Sequence, residues 1–290
     1  MAEHAIPVDL HNPGQVFACL GFLEAADVLL GDAVGGFDWS DPASALFKLQ
    51  AKGNRNPFEV VLEFLTDAEV STIAPPHSKQ GTEKWKIPTR ALNEGQPFPI
   101  AVPPSPATLP ALLVAGDNVL TVDHWGDSTN RDNVKFWAGS GGYPGAALMR
   151  DALSLVRDRM KGAVNDPFAL AAPQSSSFRF DWRRDYIPMD VGFSPNEHGE
   201  LTMVGFPLVE ILAAIGLANG RPRRINKLEY QYGVVAAPDP YRLVGPIFLR
   251  AALGGSELPF PRRLFRMKLG WPGQENQARC ITDVIEETRS

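Results

Sequence analysis

The sequence predicts an α+β protein, with mixed or antiparallel sheets packed on a few buried helices, an arrangement that a ferredoxin- or RRM-like core would satisfy. Three observations predict it. Two segments are apolar on nearly every side over ten or more residues and open with proline, as buried helices do. Six short segments rich in β-branched and aromatic residues lie between and after them. The 26 prolines and 26 glycines in 290 residues call for many turns joining short elements. A composition of 44% apolar and 21% charged residues excludes wholesale disorder, collagen-like repeats and coiled coil.

The elements follow in chain order. Asn12-Pro13-Gly14-Gln15 is a helix start: Asn12 caps, Pro13 suits the first helical position and Gln15 completes a capping box. Val16 to Leu30 then runs apolar nearly all round, with only Glu24 and Asp27 marking a wet edge, and stops at Gly31. Phe58–Leu65 reads as a strand, as do Val119–Asp123 and Val134–Trp137. Pro97–Pro110 holds six prolines and can only be a loop or an extended connector. A helix is expected from Pro144 to Met160, its apolar stripe formed by Leu148, Ala152, Leu155 and Val156. Ser177–Trp182 reads as a strand. Pro207–Leu217 reads as a second buried helix, stopping near Asn219-Gly220, and Leu228–Val235 and Leu264–Leu269 complete the strands. The apolar material before the proline-rich connector is too thin for a domain of its own, so residues 1–290 are expected to form one domain with long insertions.

Charge and cysteine content narrow the function. Cys19 and Cys280 alone make neither a disulfide framework nor a structural zinc site. The start lacks the basic and apolar regions of a signal peptide, and no run of 18 apolar residues spans a bilayer, so a cytoplasmic protein is expected. The net charge is −5, which by itself does not suggest a nucleic-acid binder. The distribution does: residues 1–177 carry −7, residues 178–270 carry +4, mostly as arginine, and the last twenty carry −2.

That cationic third holds the candidate sites. In Phe178-Arg179-Phe180-Asp181-Trp182-Arg183-Arg184-Asp185-Tyr186 the strand period puts the aromatics on one face and Arg179, Asp181 and Arg183 on the other. Such a face either pairs its arginines with Asp181 and Asp185 or lays them along a phosphate backbone, with Tyr186 stacking on a base. A second strand repeats the design: Arg262, Leu264, Arg266 and Lys268 alternate with Arg263, Phe265, Met267, Leu269 and Trp271. Arg221, Arg223 and Arg224 follow the second buried helix, where they complement its dipole or recognise phosphate. Lys135 enters the Gly139-Ser140-Gly141-Gly142 turn, which either connects tightly or offers backbone N–H groups to an anion. It is not a P-loop, since no Gly-Lys-Ser/Thr follows. No catalytic constellation emerges. Asp123-His124-Trp125-Gly126-Asp127 is the one compact His/Asp cluster, a weak basis for a metal-dependent nuclease, and no cofactor is expected.

The stretch Ile6-Pro7-Val8-Asp9-Leu10-His11-Asn12-Pro13-Gly14-Gln15-Val16-Phe17-Ala18-Cys19-Leu20-Gly21 resembles the opening of a CRISPR-associated family of the type I-U system, now called type I-G. Lys135 through Gly139, Ser175 through Asp190, Phe206 through Leu217 and Gly270-Trp271-Pro272-Gly273-Gln274 extend the resemblance over most of the chain. Members of that family look like a small version of the large Cascade subunit, or alternatively like a repeat-associated RNA-binding fold of the backbone type. The resemblance implies a non-enzymatic subunit of an RNA-guided surveillance complex. Its partners would be CRISPR RNA, target double-stranded DNA, other Cascade subunits and a helicase–nuclease, with no membrane. It supplies no catalytic residues, so the arginines stand as contact candidates on charge and geometry. A protein-binding assembly scaffold of the same complex is the alternative.

Overall fold

The computed structural model describes residues 3–41, 43–93, 103, 105–125, 143–184, 203–236, 243–270 and 280–287. They form the expected α+β architecture. Strand β1 (His4–Pro7), helix α1 (Pro13–Leu30), strands β2 (Val34–Asp38) and β3 (Leu46–Gln50) and helix α2 (Pro57–Asp67) open the chain. Their sheet has the order β1-β3-β2, both ladders antiparallel, so β1 and β2 run the same way with α1 as crossover. This is the split βαβ unit with which a ferredoxin-like fold begins. The next strand departs from that plan. β4 (Glu69–Ala74) joins β5 (Thr89–Ala91), β6 (Ala111–Ala115) and β7 (Asn118–Val122) in a separate sheet of order β5-β4-β6-β7.

Helix α3 (Gly145–Val156) runs into a 3-10 helix over Arg157–Ala163, so the helix expected to Met160 tightens in its last turn. A short ladder of β8 (Ala172–Pro173) and β9 (Val204–Gly205) precedes helix α4 (Pro207–Asn219). The last sheet is an antiparallel meander of β10 (Arg223–Asn226), β11 (Glu229–Val235), β12 (Arg262–Gly270) and β13 (Cys280–Glu287). Helix α5 (Pro246–Leu253) joins β11 to β12 and packs close to β11 at Gly233, where a Cβ would stand 2.5 Å from the Ala252 carbonyl oxygen.

Helices α1 and α4 form the middle of the molecule. Both open with proline, both are buried over most of their length, and they meet where neither carries a side chain. A Cβ on Gly21 would overlap the Leu212 carbonyl, and one on Gly216 would overlap the Phe17 carbonyl. One apolar cluster surrounds the pair, reaching from Ile6 to Ile281 and including Phe17, Phe22, Phe58, Phe168, Phe180, Tyr232 and Phe265. Helix α1 is long and apolar enough to cross a membrane, but 78% of it is buried inside the fold.

Several sequence expectations change. Phe58–Leu65 is not a strand but the body of α2. Asn56 caps it by accepting from the Phe58 N–H at 3.0 Å, Pro57 occupies the first turn, and Phe58, Val61, Leu62 and Leu65 form its buried stripe. Ser177–Trp182 forms no strand, because Arg179 takes a left-handed φ of 65° and breaks the extended run. At α1 the cap is Asn12, accepting from the Gly14 N–H at 3.1 Å, but Gln15 does not close a capping box. Its Oε1 accepts from the Asp9 N–H at 2.7 Å instead, tying down the turn before the helix. The expected strand at Val134–Trp137 lies outside the described residues.

The α1–α4 contact yields a stability prediction. Gly21→Ala should lower the unfolding free energy by about 2–3 kcal/mol in urea titrations, because backbone rather than a flexible side chain blocks the added methyl. Gly162→Ala is the control: nothing lies within 4 Å of where its Cβ would stand, and it should change stability by less than about 0.5 kcal/mol. Equal midpoints for the two variants would show that the helices do not meet as described.

Candidate nucleic-acid interface

The segment 177–184 is fixed from inside by a buried polar clasp. Glu210, in the first turn of α4, is 1% exposed, and its Oε1 accepts the backbone N–H groups of Phe180 at 3.0 Å and Asp181 at 3.1 Å. Those are the donors a strand would have given to a neighbour. The Asp181 carboxylate is fully buried and accepts from Asn12 Nδ2 at 2.9 Å, so the residue that caps α1 also holds this segment. Gly14 permits the approach, since a Cβ there would stand 2.6 Å from the Phe180 carbonyl oxygen. Phe178 and Phe180 stack, centroids 5.5 Å apart, beside Trp125 and the buried ring of His124.

Arg183 leaves the clasp towards solvent. Its Nε donates to Asp181 Oδ1 at 3.0 Å and its Nη2 to Oδ2 at 2.6 Å, Nη2 also reaches the Phe168 carbonyl at 2.8 Å, and the guanidinium lies 3.6 Å above the Phe206 ring. Arg184 turns the other way. It is 4% exposed and donates to the Ser175 carbonyl at 3.0 Å, so it belongs to the interior and offers nothing to an external phosphate. Arg179 is half-buried at the left-handed turn.

The expectation of a free cationic face on β12 is corrected by its neighbour β13. Arg263 makes a two-pronged pair with Glu286 at 2.6 and 2.5 Å, Arg266 meets Glu287 at 2.6 Å and Lys268 meets Asp283 at 3.5 Å. Arg262 turns back to the Ser256 carbonyl at 2.6 Å and to Glu257 at 3.2 Å. Each expected phosphate contact on β12 thus has a carboxylate of this chain beside it. Phe265, Met267 and Leu269 face the core, as the alternation requires.

Two candidate cations differ from these. Arg223 and Arg224 sit on β10, the edge of the meander, opposite Gln231 and Tyr230. Arg223 is exposed, Arg224 is half-buried, and neither pairs with a carboxylate among the described residues. Arg221 stands just before them, its Nη2 3.5 Å from the His124 carbonyl. Lys135, Gly139, Gly141, Gly142 and Tyr186 lie outside the described residues.

A cleft of about 420 Å³ brings two more candidates together. Arg183 and Arg263 both line it, with Asp9, His11 and Gln15 from the turn before α1 and Asp166 from the turn that follows α3's 3-10 extension. The sequence reading placed these arginines on separate strands and did not foresee that they share a site. It also missed Glu210, although a lone acid in the apolar run Leu208–Leu217 was a signal that a buried partner exists.

His124 does not join a metal centre with described residues, among which no group of three potential ligands gathers. Its partner in the sequence reading, Asp127, lies outside them. Burial first, and the Arg221 charge second, push its imidazole down to about 3, so the ring is neutral at any physiological pH. Comparison with protein-family models, curated proteins and solved structures finds no match to this chain.

Glu210 gives the site a pH signature. Burial pushes its carboxyl up to about 7, against the opposing pull of the Asp181 and Phe180 N–H groups. The folded chain therefore retains a proton that the unfolded chain releases nearer pH 4.5, so stability falls as pH rises through that window. Glu210→Gln keeps an Oε1 acceptor for both N–H groups and cannot ionise. Between pH 5 and pH 8 the wild type should lose on the order of 1–3 kcal/mol more than the variant in urea unfolding. Parallel pH profiles would show that Glu210 does not hold this proton.

Proposed function

We propose that this chain is a non-catalytic subunit of a type I CRISPR RNA-guided surveillance complex, contributing to antiviral defence by contacting CRISPR RNA or target DNA and helping to recruit the helicase–nuclease. The observation that carries the nucleic-acid contact is the pair Arg223–Arg224, which lies at a sheet edge with no carboxylate partner among the described residues, while the cations of β12 are neutralised by β13. Guanidinium groups without an internal anion are the ones whose counterions a polyanion can displace. The sequence resemblance supports the setting, and the acidic remainder of the chain suits a protein that works among partner subunits.

The scaffold reading keeps one observation of its own. Ile247 and Phe248 on α5 are exposed, at 69% and 39%, a patch that suits protein contact better than phosphate.

Binding of the full chain to RNA and DNA oligonucleotides across a salt series separates the readings. Arg223→Glu with Arg224→Glu should weaken binding and flatten the slope of log K against log salt by about 1–2, whereas Arg266→Ala, which removes an already neutralised cation, should leave the slope in place. A slope unaffected by the double reversal, or no binding by the wild type, would favour the scaffold.

A further inference from the structure

The cleft between the β1–α1 turn and β12 has the chemistry of a built site. Arg183 comes to it from the 177–184 segment and Arg263 from β12, and the two are held in the same manner. Each gives its Nε and Nη2 to one carboxylate, Asp181 or Glu286, and no described acceptor takes its Nη1. A guanidinium gripped along one edge is oriented by that pair, and for Arg183 the Phe206 ring also covers one face. What remains is a pair of oriented N–H donors whose ordering cost was met during folding.

The charge balance limits the guest. Asp181 and Glu286 offset the two arginines, so the cleft lacks the surplus charge to track a run of phosphates. One phosphate fits. Two further carboxylates line the cleft. Asp166 is exposed with its carboxylate free of described partners, and Asp9 spends Oδ1 on the His11 N–H at 2.9 Å. Carboxylates beside an anion site need donors from the ligand, and a sugar hydroxyl supplies them. The volume, near the lower end for small-ligand pockets, has room for one nucleotide.

We infer that this cleft binds a single ribonucleotide unit, its phosphate on the outer edges of Arg183 and Arg263 and its 2′-hydroxyl on the carboxylate of Asp166. The inference deepens the nucleic-acid reading by making the recognised unit RNA rather than DNA, since the 2′-hydroxyl is what tells them apart.

The test titrates the full chain with adenosine 5′-monophosphate and its 2′-deoxy counterpart by calorimetry. The ribonucleotide should bind about tenfold more tightly than the deoxynucleotide, as expected for a hydrogen bond to a charged group. Asp166→Ala, an exposed change that removes the acceptor and leaves the clasp untouched, should bring the ratio close to one. Arg263→Lys should weaken both ligands about tenfold by losing the fork geometry. Absence of mononucleotide binding, equal affinity for the two sugars, or a ratio unchanged by Asp166→Ala overturns the inference. Oligonucleotides that still bind with a steep salt slope in that event leave the surveillance-complex reading standing. Mononucleotide selectivity without oligonucleotide binding removes that reading and keeps the cleft.

Discussion

Two helices with glycine at their crossing hold this molecule together. At Gly21 and Gly216 the backbones of α1 and α4 touch directly, each glycine under a carbonyl of the other helix. Contact this close gains dispersion and Cα–H···O attraction and tolerates almost no added volume. It also fixes the relative positions of the two helix N-termini. Asn12 and Gly14 stand at one, Glu210 at the other, and Phe180 and Asp181 lie between them, their backbone N–H groups donating to Glu210 while the Asp181 carboxylate accepts from Asn12. The 177–184 segment therefore has its path set by helices that precede and follow it by many residues.

The same arrangement decides which arginines face outward. Exposed ion pairs contribute about 0–1 kcal/mol each, so the β12–β13 ladder of Arg263–Glu286, Arg266–Glu287 and Lys268–Asp283 adds little to stability. Its larger effect is on the surface potential, which it flattens over two strands. Among the described residues, the cations of this stretch that stay open to a ligand include the β10 edge and the unspent edges of Arg183 and Arg263 in the cleft. A count of charges along the chain sees none of this selection, because it is made by strand register across β12 and β13.

Much of the fold was legible in the sequence, for physical reasons that can be named. The Asn-Pro start and the all-round apolar pattern placed α1, and Pro207 with the run after it placed α4, because buried helices advertise themselves by lacking a polar face. β7, β11 and β12 were legible from alternation. Phe58–Leu65 was misread because its β-branched and aromatic residues imitate a strand, although Asn56-Pro57 repeats the cap seen at Asn12-Pro13. Ser177–Trp182 has the period of a strand, and Phe178 and Phe180 are buried together while Trp182 is exposed, but a carboxylate thirty residues away claims its N–H groups. β2, β3, β4, β6 and β13 were not foreseen; they are short, mixed in polarity or glycine-containing, and become strands through pairing rather than propensity. The site fared less well than the fold. Alternation told which side of a strand an arginine occupies but not which acid waits across the ladder.

The cleft inherits its geometry from this interior. Arg183 is aimed by Asp181, Asp181 is held by the Asn12 that caps α1 and by the Glu210 that opens α4, and those two helices cannot slide while glycine meets carbonyl at their crossing. Arg263 is aimed by Glu286 at the end of the same β12 face that carries Phe265, Met267 and Leu269 into the core. Neither guanidinium depends on a free loop for its orientation, so a ligand entering the cleft meets donors already in place. That is the property separating a site from a patch of charge: on a patch each side chain must be ordered by the ligand, at about 0.5–1.5 kcal/mol apiece, whereas here the cost has been absorbed by packing that the fold requires in any case.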